Sequence, residues 1–260
     1  MQNRIYSTDS AKAIKAQEYG IINGIHYMAP HKLAGVGNLC SHASAGCIAL
    51  CLGEYSGQAG MARDGELNSV RKSRRDKARR FMLDRVAYMQ DVALATAQEY
   101  AKAKRKGMGY VARFNGATDI PVEGIKVYLD DKLAAQISKL MGRLVDRGWH
   151  RSLLTMFHEI PWVDYTKNHL RFNRDLPENY HLTFSRSETN ETKAIELLGC
   201  GVNVAVVFET LPETWHGFTV IDGDKHDLRH LDPRGERGFV IGLLPKGNKA
   251  KRDRSGFVVR

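Results

Sequence analysis

The chain reads as an α/β protein: a mostly parallel sheet with flanking helices, either open or a partial (β/α) barrel, with a C-terminal β-hairpin extension. Three observations predict this. Strand-length apolar stretches alternate with amphipathic stretches of helical length. The strand candidates YVARF and VNVAVVFE are apolar on both faces, as strands covered by helices on each side are. No repeat, low-complexity linker or proline-rich hinge interrupts the 260 residues, so a single domain over 1–260 is expected.

Taken in order, GIINGIHYM (20–28) alternates and predicts a first strand. A glycine-rich approach leads into a cysteine loop at 38–53, whose SAGCIALCL (44–52) has the look of a short helix. Residues 67–105 carry Met82, Val86, Met89, Ala93 and Ala97 at spacings of three or four, which predicts a basic helix. GMGYVARFNGATDI (107–120) predicts a buried strand and a polar turn. DDKLAAQISKLMGRLVDRGWH (130–150) predicts an amphipathic helix capped by Asp130 or Asp131. Strands follow at PWVDYTK (161–167) and YHLTFSRSE (180–188), a helix at 187–201 with a glycine stop, and a strand at 202–209. FTVIDGD (218–224) and GFVIGLLPKG (238–247) form the expected hairpin, with a basic tail to residue 260.

Sheets of this kind place their chemistry beyond the carboxyl ends of the strands. There the chain offers Asn115, Thr118 and Asp119, then Asp164, Tyr165 and Lys167, then Ser185, Arg186, Ser187 and Glu188, and finally Glu209. Loops are polar in any case. The coincidence across several strands nevertheless points to a pocket, with Asp119, Asp164 and Lys167 as candidate catalytic groups. Asn115, Ser185 and Arg186 are the candidate contacts to a small anionic ligand.

Three of the four cysteines, Cys40, Cys47 and Cys51, fall within one short segment, spaced C-x6-C-x3-C. With no signal-peptide pattern and no apolar run of roughly 20 residues, a cytoplasmic location is expected, where clustered thiols point to metal or redox chemistry. Zinc knuckles need a second cysteine pair, which is lacking. A [4Fe-4S] cluster on Cys40, Cys47 and Cys51, amid small residues, is the favoured reading, leaving one iron open to a ligand. A Cys3His zinc site completed by His26, His31 or His42 is the alternative. Cys200 precedes a strand rather than following one, so it belongs on the opposite face and reads as a buried small hydrophobe.

The segments GCIALCL, YVARFNGATDI, PWVDYTK, YHLTFSRSETNE, NVAVVF and GFTVIDGDKHDLRHLDP…GFVIGLLPKGNKAKRDRSGFVV resemble, in order, the phage-encoded gene product 88 domain family. That resemblance implies a phage or prophage origin, hence the cytoplasm of an infected host cell. More distantly the chain resembles radical S-adenosylmethionine enzymes, in which three cysteines after the first barrel strand hold a [4Fe-4S] cluster. Its C-x6-C-x3-C spacing departs from their C-x3-C-x2-C, which puts S-adenosylmethionine as a ligand in doubt.

The net charge of +10 favours anionic partners. Arg71, Arg75 and Arg79 share a helical face in RKSRRDKARR and form a candidate phosphate-tracking stripe. The competing function is therefore a nucleic-acid-binding accessory protein that contacts the backbone and in which a cluster is structural or redox-sensing. Paired surface aromatics of the ribonucleoprotein type are not evident. IDGDKHDLRHLD (221–232) reads as a charged hairpin rather than a hard-metal site, and no phosphate-binding glycine loop or nucleophile elbow is present.

Overall fold

A computed structural model describes residues 4–260; residues 1–3 of the domain expected over 1–260 lie outside the described residues. Strand β1 (Tyr6–Ser7) and helix α1 (Ala11–Gln17) precede the first long strand, β2 (Ile21–His26). The cysteine segment forms two short helices, α2 (Ala45–Ala49) and α3 (Leu52–Tyr55), rather than one. The long basic helix is likewise two, α4 (Ser69–Leu83) and α5 (Arg85–Arg105). Asp84 breaks it by leaving helical geometry (φ −141°, ψ 71°) and capping α5 through Ala87 N–H. Then come β3 (Gly109–Arg113), β4 (Val127–Leu129) and α6 (Asp131–Met141).

Helix α6 stops nine residues short of the expected end because Gly142 takes the left-handed conformation (φ 69°). The remainder of that stretch supplies β5 (Gly148–His150), which pairs antiparallel with β4 in a separate two-stranded ribbon. The chain continues through α7 (Leu153–Met156), β6 (Trp162–Thr166), β7 (Tyr180–Ser185), α8 (Glu191–Gly199) and β8 (Val204–Phe208). It ends with β9 (Thr214–Trp215), β10 (Phe218–Asp222), β11 (Val240–Leu243), α9 (Asn248–Lys251) and β12 (Val258–Val259).

The main sheet runs β1-β2-β3-β6-β7-β8-β11-β10-β9, and from β2 to β10 every neighbouring pair is parallel. The α/β class with a mostly parallel sheet is thus the observed one. On one face Met89, Val92, Ala93 and Ala97 of α5 pack with Tyr110, Phe114 and Trp162. Farther along the sheet, Ala194 and Leu198 of α8 pack with Phe184, Val204, Val206 and Val240. Ala16 of α1 and Leu228 join Val111 and Val163 in a smaller cluster.

The C-terminal region differs from the expectation. FTVIDGD and GFVIGLLPKG are parallel neighbours joined by a crossover, Val220 opposite Val240, and not the arms of a hairpin. IDGDKHDLRHLD belongs to that crossover. The true hairpin is β9–β10, turned at His216 (φ 48°) and Gly217 (φ 75°), the pair of positive φ angles that matches strand twist.

Strand β12 decides the shape of the sheet's carboxyl edge. Val207 of β8 pairs with Leu243 on one side and with Val258 on the other. Strand β7 pairs with β8 only as far as Ser185 opposite Ala205. The last residues of the chain therefore occupy the edge of β8 that β7 vacates, beside the strand ends.

Candidate functional site

Beyond the carboxyl ends of β3, β6, β7, β8 and β11 lies a cavity of about 190 Å³. Cys40, Cys47 and Cys51 all line it, facing a wall that includes Asp119, Lys167, Ser185 and Phe257. Cys200 caps the end of α8 before β8 begins, at the opposite edge of the sheet. Its opposite placement agrees with the sequence argument, but it is exposed and not a buried hydrophobe. A helix-terminal position on the amino-end surface has no layer above it to cover the thiol.

The cysteine segment is held from several directions. Ser44 caps α2 by accepting from Cys47 N–H (3.2 Å), and donates to Glu188 Oε2 (2.8 Å). Glu188 Oε1 accepts from Gly46 N–H (2.7 Å), so the acid after β7 ties the cysteine helix to the sheet. Gly53 lies so close to the loop after β3 that a Cβ there would stand 2.6 Å from Ala117 Cβ. Gly53→Ala is expected to cost about 1–3 kcal/mol through overpacking, read as a lower denaturation midpoint.

The basic helix α4 supplies the remaining support. Arg71 is buried: its guanidinium pairs with Glu54 (3.1 Å) and donates to the carbonyls of Glu54 (2.9 Å), Arg63 (2.8 Å) and Glu66 (2.8 Å). Arg74 donates to the Gly53 carbonyl, Arg75 lies 3.7 Å from Glu54, and Arg79 Nε donates to the Ala34 carbonyl (3.0 Å). Arg71 and Arg75 are therefore turned on Glu54 beside the cysteine loop, and Arg71 is closed to phosphate, whereas Arg79 stays exposed. Helical periodicity shows which residues share a face and is silent on what that face meets.

The two inner cysteines hold their protons tightly. Burial pushes the Cys40 thiol up to about 12, with Cys51, Asp119 and Cys47 adding to the rise. Burial and the neighbouring Cys47 push Cys51 up to about 11. Backbone N–H groups already point at these sulfurs, from His31 to Cys40 Sγ (3.3 Å) and from Gly53 and Glu54 to Cys51. Among the described residues no set of three or more His, Cys, Asp or Glu side chains is arranged to hold a metal ion. His26 is engaged at both ring nitrogens, with the Phe114 carbonyl (2.9 Å) and Tyr88 hydroxyl (2.7 Å), and burial drives its pKa down to about 3. His42 contacts Ser41 in an exposed position, and of the three histidines considered only His31 lines the cavity.

The other site residues divide into two groups. Lys167 Nζ donates to Ser185 Oγ (2.8 Å) and stands 5.4 Å from the Phe257 ring centre, so both polar groups reach the cavity. Asp119 lines it too, accepting from Lys167 N–H (2.8 Å) and from Arg171 (3.3 Å). Asn115 borders the cavity, yet its side chain is spent on Ile120 N–H and carbonyl, Thr118 and Asp164. Asp164 lies beneath, fully buried, accepting from Asn115 N–H (2.7 Å) and the Tyr180 hydroxyl (3.0 Å). Burial, opposed by Arg113, raises its carboxyl to about 6. Arg186 is directed away from any ligand: it pairs with Glu191 and donates to the carbonyls of Gly256 (2.5 Å) and Phe257 (3.1 Å). Asp164 and Arg186 thus stabilise the site from outside it, one by shaping the loop after β3 and the other by pinning the tail.

Sequence reasoning placed Tyr165 at a strand end without giving it a role, and missed Arg113, Lys246 and Phe257 on the cavity wall. Arg113 pairs with Asp227 (2.6 Å), whose carboxylate also accepts from the Tyr165 hydroxyl (3.0 Å). An arginine directly ending the apolar YVA run was a legible signal; Phe257, in a basic tail, gave none.

A protein-family model described as gene product 88 matches residues 3–260. The chain belongs to the gene product 88 family. No curated protein and no solved structure matches it significantly. Among the described residues no helix is long and apolar enough to cross a membrane.

Proposed function

We infer that this protein is an iron–sulfur protein that binds a [4Fe-4S] cluster through Cys40, Cys47 and Cys51 and acts on a small anionic ligand held beside it. The observation that carries this reading is the convergence of three thiols and a lysine on one cavity at the carboxyl edge of a parallel sheet. Three thiols from one segment, with no second cysteine pair, are the ligand chemistry of a cluster more than of a zinc knuckle. Backbone N–H donors to sulfur, as at Cys40 and Cys51, are a usual feature of cluster sites. When bound, such a cluster supplies a Lewis acid or an electron source at the iron that lacks a protein ligand.

The chain's own residues then have defined tasks. Lys167 offers its ammonium to an anionic group, oriented by Ser185 and by the Phe257 ring. Asp119 fixes the backbone of Lys167 and presents its carboxylate edge to the cavity. Leu243, Leu244 and Pro245 with Phe257 make part of the wall apolar, which strengthens the charge contacts by excluding water. S-adenosylmethionine is a subordinate candidate for the ligand, suggested by the likeness to radical S-adenosylmethionine enzymes and weakened by the cysteine spacing. The setting for this chemistry is the host cytoplasm, where thiols stay reduced.

Purification without oxygen is expected to yield roughly four irons and four sulfides per chain. Cys40→Ala, Cys47→Ala and Cys51→Ala should each strip iron, and Cys200→Ala should leave it. Stoichiometric zinc, or a chain without metal after anaerobic reconstitution, would refute the cluster.

A further inference from the structure

The β4–β5 ribbon carries a feature that the expected 130–150 helix hid. Its register sets Tyr128 directly opposite Trp149. Extending that register places Lys126 across from Arg151 and Asp130 across from Arg147, all on the same face by strand alternation. The opposite face, with Val127 and Leu129, is buried in the core. Trp149 is nevertheless 61% exposed and Tyr128 38%. Lys126, Arg147 and Arg151 are exposed as well.

Two large rings held this way in water are not explained by the fold. Their centroids are 5.3 Å apart and their planes are tilted by 55°, so they touch without covering each other's faces. Ring surface therefore stays available to another planar group. An aromatic pair on a short ribbon, bordered by cations, is the arrangement on which unpaired bases stack while the phosphates meet positive charge. A lipid surface fits less well, since inserting these rings would carry Lys126, Asp130, Arg147 and Arg151 toward the apolar layer.

We propose that the Tyr128–Trp149 face of the β4–β5 ribbon binds single-stranded nucleic acid by base stacking, with Lys126 and Arg151 contacting the phosphates. The net charge of +10 supplies the complementary field. This surface is separate from α4, whose Arg71 is turned inward, and does not depend on the cluster.

The full-length protein should be titrated with a labelled oligothymidylate of roughly 12 nucleotides, within the span such surfaces cover, and with the matching duplex. Trp149 is the exposed tryptophan, Trp162 and Trp215 being buried, so stacking should quench its emission. The single strand is expected to bind more tightly than the duplex, with an affinity that falls as salt rises. Trp149→Ala should weaken it by roughly 5- to 150-fold, the range for one base stacked on an aromatic. Trp149→Phe should restore most of the loss. Unchanged binding in Trp149→Ala, equal affinity for duplex, or no binding at low salt would each overturn the proposal. So would a dimer in sedimentation, or binding to anionic vesicles, that Trp149→Ala abolishes while oligonucleotide binding is absent.

Discussion

Arg71→Met is expected to lower the unfolding free energy by about 3–5 kcal/mol, the range for removing one partner of a buried ion pair. The methionine fills similar space but leaves the Glu54 carboxylate, itself buried, with only Arg75 at 3.7 Å. It also removes the donors that satisfy the carbonyls of Glu54, Arg63 and Glu66. Of these the Glu54 carbonyl is buried, and leaving it without a partner adds to the cost. Lys72→Met is the matched control: it removes a cation from the same helix, but one that is exposed and paired only with Asp76. That change should stay within about 0.5 kcal/mol. Denaturation midpoints of the two variants decide the matter, and equal midpoints would show that α4 is not a brace. Because Glu54 lies three residues after Cys51, Arg71→Met should also reduce the iron retained by the anaerobically purified protein.

Asp164 provides the second large effect, and its sign is unusual for an aspartate. The carboxyl gives up its proton near 3.9 in an unfolded chain and at about 6 in the fold, because burial penalises its charge. Below both values it is protonated in either state and contributes no pH dependence. Between them the folded protein binds more protons than the unfolded chain, so stability falls as pH rises. Above about pH 6 a constant cost of about 3 kcal/mol remains. Asp164→Asn keeps the shape without the charge and is expected to lack that fall.

The comparison of wild type with Asp164→Asn across pH 4–7 isolates this group. Asp232 is also raised to about 6 by burial, opposed by Arg229. His26, held down near 3 by burial, works in the opposite direction by losing stability as pH falls below the unfolded histidine value. Both remain in each protein and cancel in the difference. Parallel stability curves for the two would mean that Asp164 ionises in the fold as readily as in water.

Local composition made much of the architecture readable. The two-sided apolar runs YVARF and VAVVF became inner strands of the parallel sheet, with two strands between them, and Gly20 and Gly142 ended helices or opened strands where their positive φ was needed. The cysteine cluster and the polar residues at strand ends were visible for the same reason: each is a short-range pattern following a strand. The extent of helices was read less well. Asp84 caps one helix while ending another, and a capping side chain looks like any other exposed acid until the backbone turns.

What the sequence determined by itself was the α/β class, the succession of its central strands, the gathering of three cysteines on one strand-following segment, and membership in a family whose motifs run along nearly the whole chain. The tertiary structure alone decided the partners. It turned Arg71 inward to Glu54, gave Arg186 to the tail carbonyls, brought Phe257 over Lys167 and set Tyr128 against Trp149. The physical reason is distance along the chain. Periodicity and propensity act over a few residues, whereas these contacts join residues 17 to 90 positions apart and form only when packed layers fix which surfaces meet.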